Sequence, residues 1–304
     1  MPTTELRKEG PPQSLKQRLA ALLSLSLRRH IIYRRRTSRW GNFRHPSLYS
    51  EKMQWRIIND RRPMIGITGD KLASADLAMQ RCREAGAPLV TARVLASDND
   101  PAQLIASLKQ LAASGDLPAA WILKPNHSSR RVLITRGTPD WDLILESARR
   151  WLLPDDMVGV SWMWAYEKAE RKIIAEALIT DAGEQPLEWS VYIFHGKAMI
   201  YNVTKRMGNE VIDTWRSPVW SDLGRMRRRA RNILALDGKP EYLPVITACA
   251  EAIGAGWDHV RVDLYWADGK VWFGETTAYP MEGTGFASKE LDKELGEMWS
   301  LHES

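Results

Sequence analysis

Cysteine is nearly absent from this chain of 304 residues: only Cys82 and Cys249 occur. Neither belongs to a CxxC pair or a ligand cluster, which excludes a disulfide framework and predicts reduced thiols. Long apolar runs are also lacking. The longest near the N-terminus, Leu19 to Leu27, contains two serines and is too short to cross a bilayer. Arg28 and Arg29 follow it where a signal peptide would place small residues, so the sequence predicts a cytoplasmic protein. His127 has no neighbouring histidine, cysteine or aspartate at zinc spacing. The serines lack the strained strand-to-helix context of a hydrolase nucleophile. No internal repeat or long low-complexity segment is present.

What remains is ordinary globular material, 44% hydrophobic and 26% charged, enough for one large domain or two to three small ones. The net charge of +6 suits nucleotide phosphates, nucleic acid or an anionic membrane surface, without choosing among them. Residues 1–13 read as a loose leader, and Ser14 as the cap of a helix from Leu15 to Arg36 whose end is rich in arginine. That helix is either a polyanion- or membrane-surface element or a docked helix with a solvated arginine face. Helices are expected at Asp76 to Glu84, Pro101 to Leu111, Trp141 to Trp151, Arg225 to Leu234 and Pro244 to Ile253. Strands are expected at Leu89 to Val94, Ala119 to Lys124, Val132 to Thr135, Ile173 to Ile179, Trp189 to His195 and Lys197 to Thr204.

The segment from His259 to Thr277 carries the clearest chemistry. It reads as a hairpin with Asp263 near the end of one strand and Glu275 near the end of the other. Alternation puts Arg261 and Asp263 on one face. A three-residue loop, Ala267-Asp268-Gly269, would bring Glu275 to that face as well, whereas a two-residue Asp-Gly turn would send the carboxylates to opposite faces. Two carboxylates on a rigid hairpin suit magnesium, which takes one or two of them and fills its shell with phosphate oxygens and water. The competing reading is a surface hairpin with solvated charges.

Other pieces are weaker alone. Lys124 ends a strand, and Asn126, His127, Ser128 and Ser129 follow as potential phosphate donors on a flap that runs to Arg131. Glu176 lies in an apolar strand and must find a donor, such as an adenine amino group, a ribose hydroxyl or an arginine. Glu188 sits at a strand entrance, within reach of ribose hydroxyls. Lys71 and the pair Lys205-Arg206 could meet phosphate or be solvated.

In order, Ser50-Glu-Lys-Met-Gln-Trp55, Gly69-Asp-Lys71, Trp121-Ile-Leu-Lys-Pro-Asn-His127, Ile174-Ala-Glu176, Phe194-His-Gly-Lys197, Arg261-Val-Asp-Leu-Tyr265 and Gly274-Glu-Thr-Thr-Ala-Tyr-Pro280 resemble the TupA-like ATP-grasp family. The resemblance covers Trp40 to Leu301. It implies an α/β (α+β) ATP-grasp fold whose antiparallel sheets grip ATP beneath a lid. The divisions would be a basic leader and helix (1–39), an N-terminal subdomain (40–118), a lid subdomain (119–180) and a C-terminal catalytic subdomain (181–304).

It further implies that Lys71 and Lys124 hold ATP phosphates, that Glu176, Ala177, Leu178 and Ile179 form the adenine-contacting hinge, and that Glu188 binds ribose. Asp263, Glu275 and Thr277 would serve magnesium, and Arg261, assisted by Lys205, the transferring phosphoryl group. The implied reaction joins a carboxylate to an amine through an acyl-phosphate, in cell-surface polysaccharide or peptide modification, with an amino acid as one plausible substrate. The alternatives are a kinase of a sugar or glycan hydroxyl and a non-enzymatic polyanion- or membrane-binding protein. The chain departs from the family pattern at Ser128-Ser-Arg-Arg131, where glycines are usual, at Ser190 in place of lysine, and at Thr277 where many ATP-grasp enzymes outside this family carry asparagine.

Overall fold

The computed structural model describes residues 3–6, 23–129, 131–153, 163–180, 182–207, 210–224, 226, 232–236, 238–286 and 288–302. In chain order the elements are β1 (Thr3–Leu6), α1 (Leu25–Thr37), α2 (Tyr49–Asn59), α3 (Pro63–Ile67), α4 (Lys71–Glu84), β2 (Leu89–Val90), β3 (Val94–Asp98), α5 (Pro101–Ser114), β4 (Ala120–Pro125), β5 (Leu133–Arg136), α6 (Trp141–Trp151) and α7 (Ala165–Lys168). There follow β6 (Ile173–Ala177), β7 (Leu187–Phe194), β8 (Lys197–Met207), β9 (Glu210–Arg216), β10 (Asn232–Ile233), α8 (Leu243–Gly254), β11 (His259–Ala267), β12 (Lys270–Thr277) and α9 (Lys289–Glu297). They form two compact units interleaved along the chain. One holds Met1–Leu23, Gly69–Leu72 and Ala92–Leu178, and the other holds the rest.

The first unit is built on an antiparallel sheet of order β1-β5-β4-β6-β3. Alternation sorts its residues: Trp121, Leu123, Ile173 and Ala175 join Leu104, Leu108, Ile144 and Trp151 of α5 and α6 in one buried core. The opposite face takes Ile122, Lys124, Ile174 and Glu176. Asp100 and Asp140 cap α5 and α6 by accepting from Ala102 and Leu143 amides. The expected loose leader contributes β1, paired along β5. The expected strand over Leu89 to Val94 is broken in two, because the chain leaves one unit after Thr91 and enters the other at Ala92.

The second unit carries a seven-stranded sheet of order β10-β9-β8-β7-β11-β12-β2, antiparallel except at its two edge pairs. Helix α8 covers one face. Tyr201 reaches Thr247 at 2.8 Å, and Gly254 lies so close to Ile193 that a Cβ there would fall 2.6 Å from Ile193 Cγ2. On the other face, α2 covers the end that carries His259 and Phe194. Arg56 Nη2 donates to both carboxylate oxygens of Asp258 at 2.7 Å, and the Tyr49 hydroxyl meets His259 at 2.8 Å.

Helix α1 starts at Leu25 behind a Ser24 cap, later than expected; residues 15–22 lie outside the described part. Its Arg29 is wholly buried, between Gln54 and Glu282, while Arg34 and Arg35 stay exposed. The expected basic helix over Arg225 to Leu234 is not formed where it is described. Asn232–Ile233 pair as a strand with β9, and residues 225 and 227–231 lie outside the described part.

Candidate functional site

The hairpin of β11 and β12 turns through two residues, not three. Asp268 and Gly269 have φ of 50° and 70°, the double left-handed geometry of a tight hairpin turn, and Ala267 pairs with Lys270. That turn alone would separate the carboxylates. A bulge corrects it: Leu264 pairs with Phe273, but Asp263 pairs with Glu275, leaving Gly274 as the extra residue. Parity is restored, and Asp263 and Glu275 stand directly opposite one another with Arg261 and Thr277 beside them. Gly274 is the residue type this bulge requires, since a Cβ there would sit 2.8 Å from the Asp263 carbonyl oxygen and 3.0 Å from the Tyr265 ring.

Arg261 ties the group together. Its Nε and Nη2 fork onto Asp263 at 2.8 and 2.5 Å, and Nη2 also reaches Glu275 Oε1 at 3.1 Å and Thr277 Oγ1 at 3.3 Å. The Thr277 hydroxyl donates to the same Glu275 oxygen at 3.1 Å. Asp263 is buried, whereas the Glu275 side chain is 43% exposed. Burial pushes the Asp263 carboxyl up to about 7 against the pull of Arg261, and Glu275 adds to the rise. Two carboxylates therefore meet at one guanidinium.

This donor set fits a hard divalent cation. Among the described residues no three His, Cys, Asp or Glu gather as a metal site. An ion held here would take two carboxylates, with Thr277 nearby, and draw its remaining ligands from water or substrate, as magnesium commonly does.

The same face of the sheet continues across β7 and β8. Ser190 is the partner of Asp263, Glu188 of Tyr265, and Asn202 and Thr204 follow on β8. Period-2 alternation then puts Arg206 on this face and Lys205 on the other, with Tyr201 and Val203 toward α8. Lys205, expected to assist Arg261, thus stands on the opposite face of the sheet from it. The basic side chain on the site's face is Arg206, which pairs with Glu188 at 3.3 Å. Parity counted from Glu188 through the hairpin would have found it, had the bulge between Tyr192 and Ile193 in the β7–β8 pairing been visible.

In the first unit, Glu176 finds its donor in Lys124, at 2.6 Å across neighbouring strands. The segment after β4 does not open as a flap over 126–128. Asn126, His127 and Ser128 are buried. The Asn126 amide accepts from the Leu72 N–H at the start of α4 and donates to the Glu170 carbonyl, so it acts as a helix cap. His127 bonds the Trp151 carbonyl at 3.2 Å. The Lys71 ammonium rests on the carbonyls of Asn126, at 3.4 Å, and Ser128. Ser129 is partly exposed, and Arg130 lies outside the described residues. Ala177 ends β6, and the chain changes unit between Leu178 and Ile179.

A family model described as TupA-like ATPgrasp matches residues 110–300. No curated protein matches the chain. Among solved structures, D-alanine–D-alanine ligase from Bacillus anthracis complexed with ATP is similar at 17% identity and TM-score 0.36, with 70% of this chain and 55% of that one covered. The ATP-grasp ligase PsnB complexed with its minimal precursor is similar at 17% identity and TM-score 0.39, covering 82% and 66%. D-cycloserine synthetase DcsG follows at 16% identity and TM-score 0.41, covering 78% and 70%. The chain spans 55% and 66% of the length of the first two.

Proposed function

This chain belongs to the TupA-like ATP-grasp family, and from that membership we propose an ATP- and magnesium-dependent ligase that joins a carboxylate to an amine through an acyl-phosphate. Its mixed α/β architecture of antiparallel sheets is the ATP-grasp fold. The single observation that carries the reading is the direct pairing of Asp263 with Glu275 on one sheet face, next to Arg261.

A carboxylate is a poor electrophile because its leaving group would be an oxide or hydroxide. Phosphorylation solves this, provided cations neutralise the charge that grows on the phosphoryl oxygens. Asp263 and Glu275 would hold magnesium, which supplies that neutralisation when bound. Arg261 stabilises the transferring phosphoryl group, Lys71 and Lys124 hold nucleotide phosphates, Glu176 to Ile179 receive adenine, and Glu188 receives ribose. Arg206, bonded to Glu188, takes the assisting position first assigned to Lys205. The proposed setting is cell-surface polysaccharide or peptide modification, with an amino acid as one substrate.

The test is coupled ADP release over a panel of amino acids and uronic-acid carboxylates. ADP formation that requires both partners supports the ligase, and a stable phosphorylated product without amine replaces it with a kinase. Glu275→Gln should abolish turnover; parental turnover in that variant would contradict the role of Glu275.

A further inference from the structure

Three oxygens of the proposed cation site converge on one nitrogen. Arg261 Nη2 lies 2.5 Å from Asp263 Oδ2, 3.1 Å from Glu275 Oε1 and 3.3 Å from Thr277 Oγ1. An arginine that merely paired with Asp263 would need only the fork made by its Nε and Nη2. Here the same Nη2 reaches the carboxylate and the hydroxyl on the facing strand as well. A guanidinium N–H and a hard cation use the same oxygen lone pairs, so both cannot occupy this point.

We infer that Arg261 Nη2 stands in the cation position, and that a divalent ion binds there by exchange: the ion enters and the guanidinium leaves. The inference rests on the reading of Asp263 and Glu275 as cation ligands. Charge favours the exchange. A divalent ion brings two positive charges to these carboxylates where the guanidinium brings one. Access favours it too, since Glu275 is 43% exposed while Asp263 is buried. The released guanidinium is a cation without a partner, next to an ion that recruits phosphate oxygens. Loading the site therefore presents Arg261 to an anionic ligand. Any anion that takes up the freed guanidinium raises the affinity for the ion, and the ion raises the affinity for that anion by the same factor.

Arg261 is then a built-in competitor, and removing it tightens ion binding. The probe is manganese(II) alone, titrated into the full chain without nucleotide and followed by the paramagnetic resonance of the free ion. Arg261→Gln should bind manganese at least about tenfold tighter than the parent, because charge-assisted bonds no longer have to break. Arg261→Lys, which keeps the charge but cannot fork, should fall between the two, and carries the test if the glutamine variant does not fold. Asp263→Asn should abolish binding in both backgrounds, which identifies the site. Equal or weaker binding in the Arg261 variants, with the dependence on Asp263 intact, overturns the exchange and leaves the cation site standing. Absence of saturable binding in every protein, or binding indifferent to Asp263→Asn, removes the site and the exchange together.

Discussion

Two clusters in the second unit set arginine against carboxylate in opposite proportions. Around Glu282, Arg29 and Arg36 both pair at 2.9 Å, two guanidiniums on one carboxylate. Around Arg261, two carboxylates share one guanidinium. Protonation follows the stoichiometry. Burial pushes Glu282 up, but Arg29 and Arg36 outweigh it and hold the carboxyl below its usual range. At Asp263, burial and Glu275 prevail, and the carboxyl rises to about 7. The first cluster is saturated with positive charge and works as a clamp between α1 and the body beneath it. The second gathers two carboxylates at one guanidinium and is partly open, as a cation site requires.

The largest effect should come from breaking the clamp. Glu282→Ala leaves Arg29 buried without its counter-ion, and should lower stability to urea by about 3–5 kcal/mol. Turnover per folded molecule should stay unchanged. A loss below about 1 kcal/mol, the range of an exposed pair, would erase the contrast between the clusters.

The open cluster can be broken through its backbone. In Gly274→Ala the new methyl meets the Asp263 carbonyl, which no rotamer can relieve, so a loss of about 1–3 kcal/mol is expected. Manganese affinity should fall with it, because the bulge sets the parity of Asp263 and Glu275. Unchanged affinity would separate the bulge from the site.

A third test sharpens the comparison by pH. Beneath α2, the neutral His259 ring donates from Nδ1 to the Ile193 carbonyl and accepts at Nε2 from Tyr49. Burial, helped by Arg56, lowers its pKa from 6.5 to about 3. The unfolded chain binds a proton below pH 6.5 that the folded chain refuses. Stability from this group is therefore full above that pH, and is lost as pH falls toward 3, by about 1.4 kcal/mol per unit. His259→Gln should flatten that part of the stability profile between pH 6 and about 4. An unchanged slope would mean that His259 does not set it.

The smallest effect is expected at Lys205, on the face toward α8. Lys205→Ala should change turnover within about twofold, and Arg206→Ala should change it more. The reverse order would return Lys205 to the site.

Much of this was legible from pattern. Trp141 to Trp151 was placed to the residue, because its cap and its 3.6-residue apolar period agree. The shared face of Asp263 and Glu275 was found as well, although by a three-residue loop that the chain does not use. Turn and bulge each shift the register by one, and sequence spacing reports only their sum. The same blindness hides which of Lys205 and Arg206 faces the site, since one bulge reverses the order of two adjacent residues. Pairings between distant positions were out of reach: Lys124 with Glu176 depends on which strands become neighbours, and Arg29 with Glu282 joins positions 253 apart. The inward turn of Asn126 was hidden because its polar side chain serves a helix start that lies 54 residues earlier.

The most direct measurement is manganese binding in the presence of ADP, by paramagnetic resonance, for the parent chain and Asp263→Asn. The account predicts a stoichiometric ion on the parent and at least about tenfold weaker binding once a charged oxygen ligand is removed. Equal binding by the two proteins would contradict the assignment of the β11–β12 hairpin as the cation site.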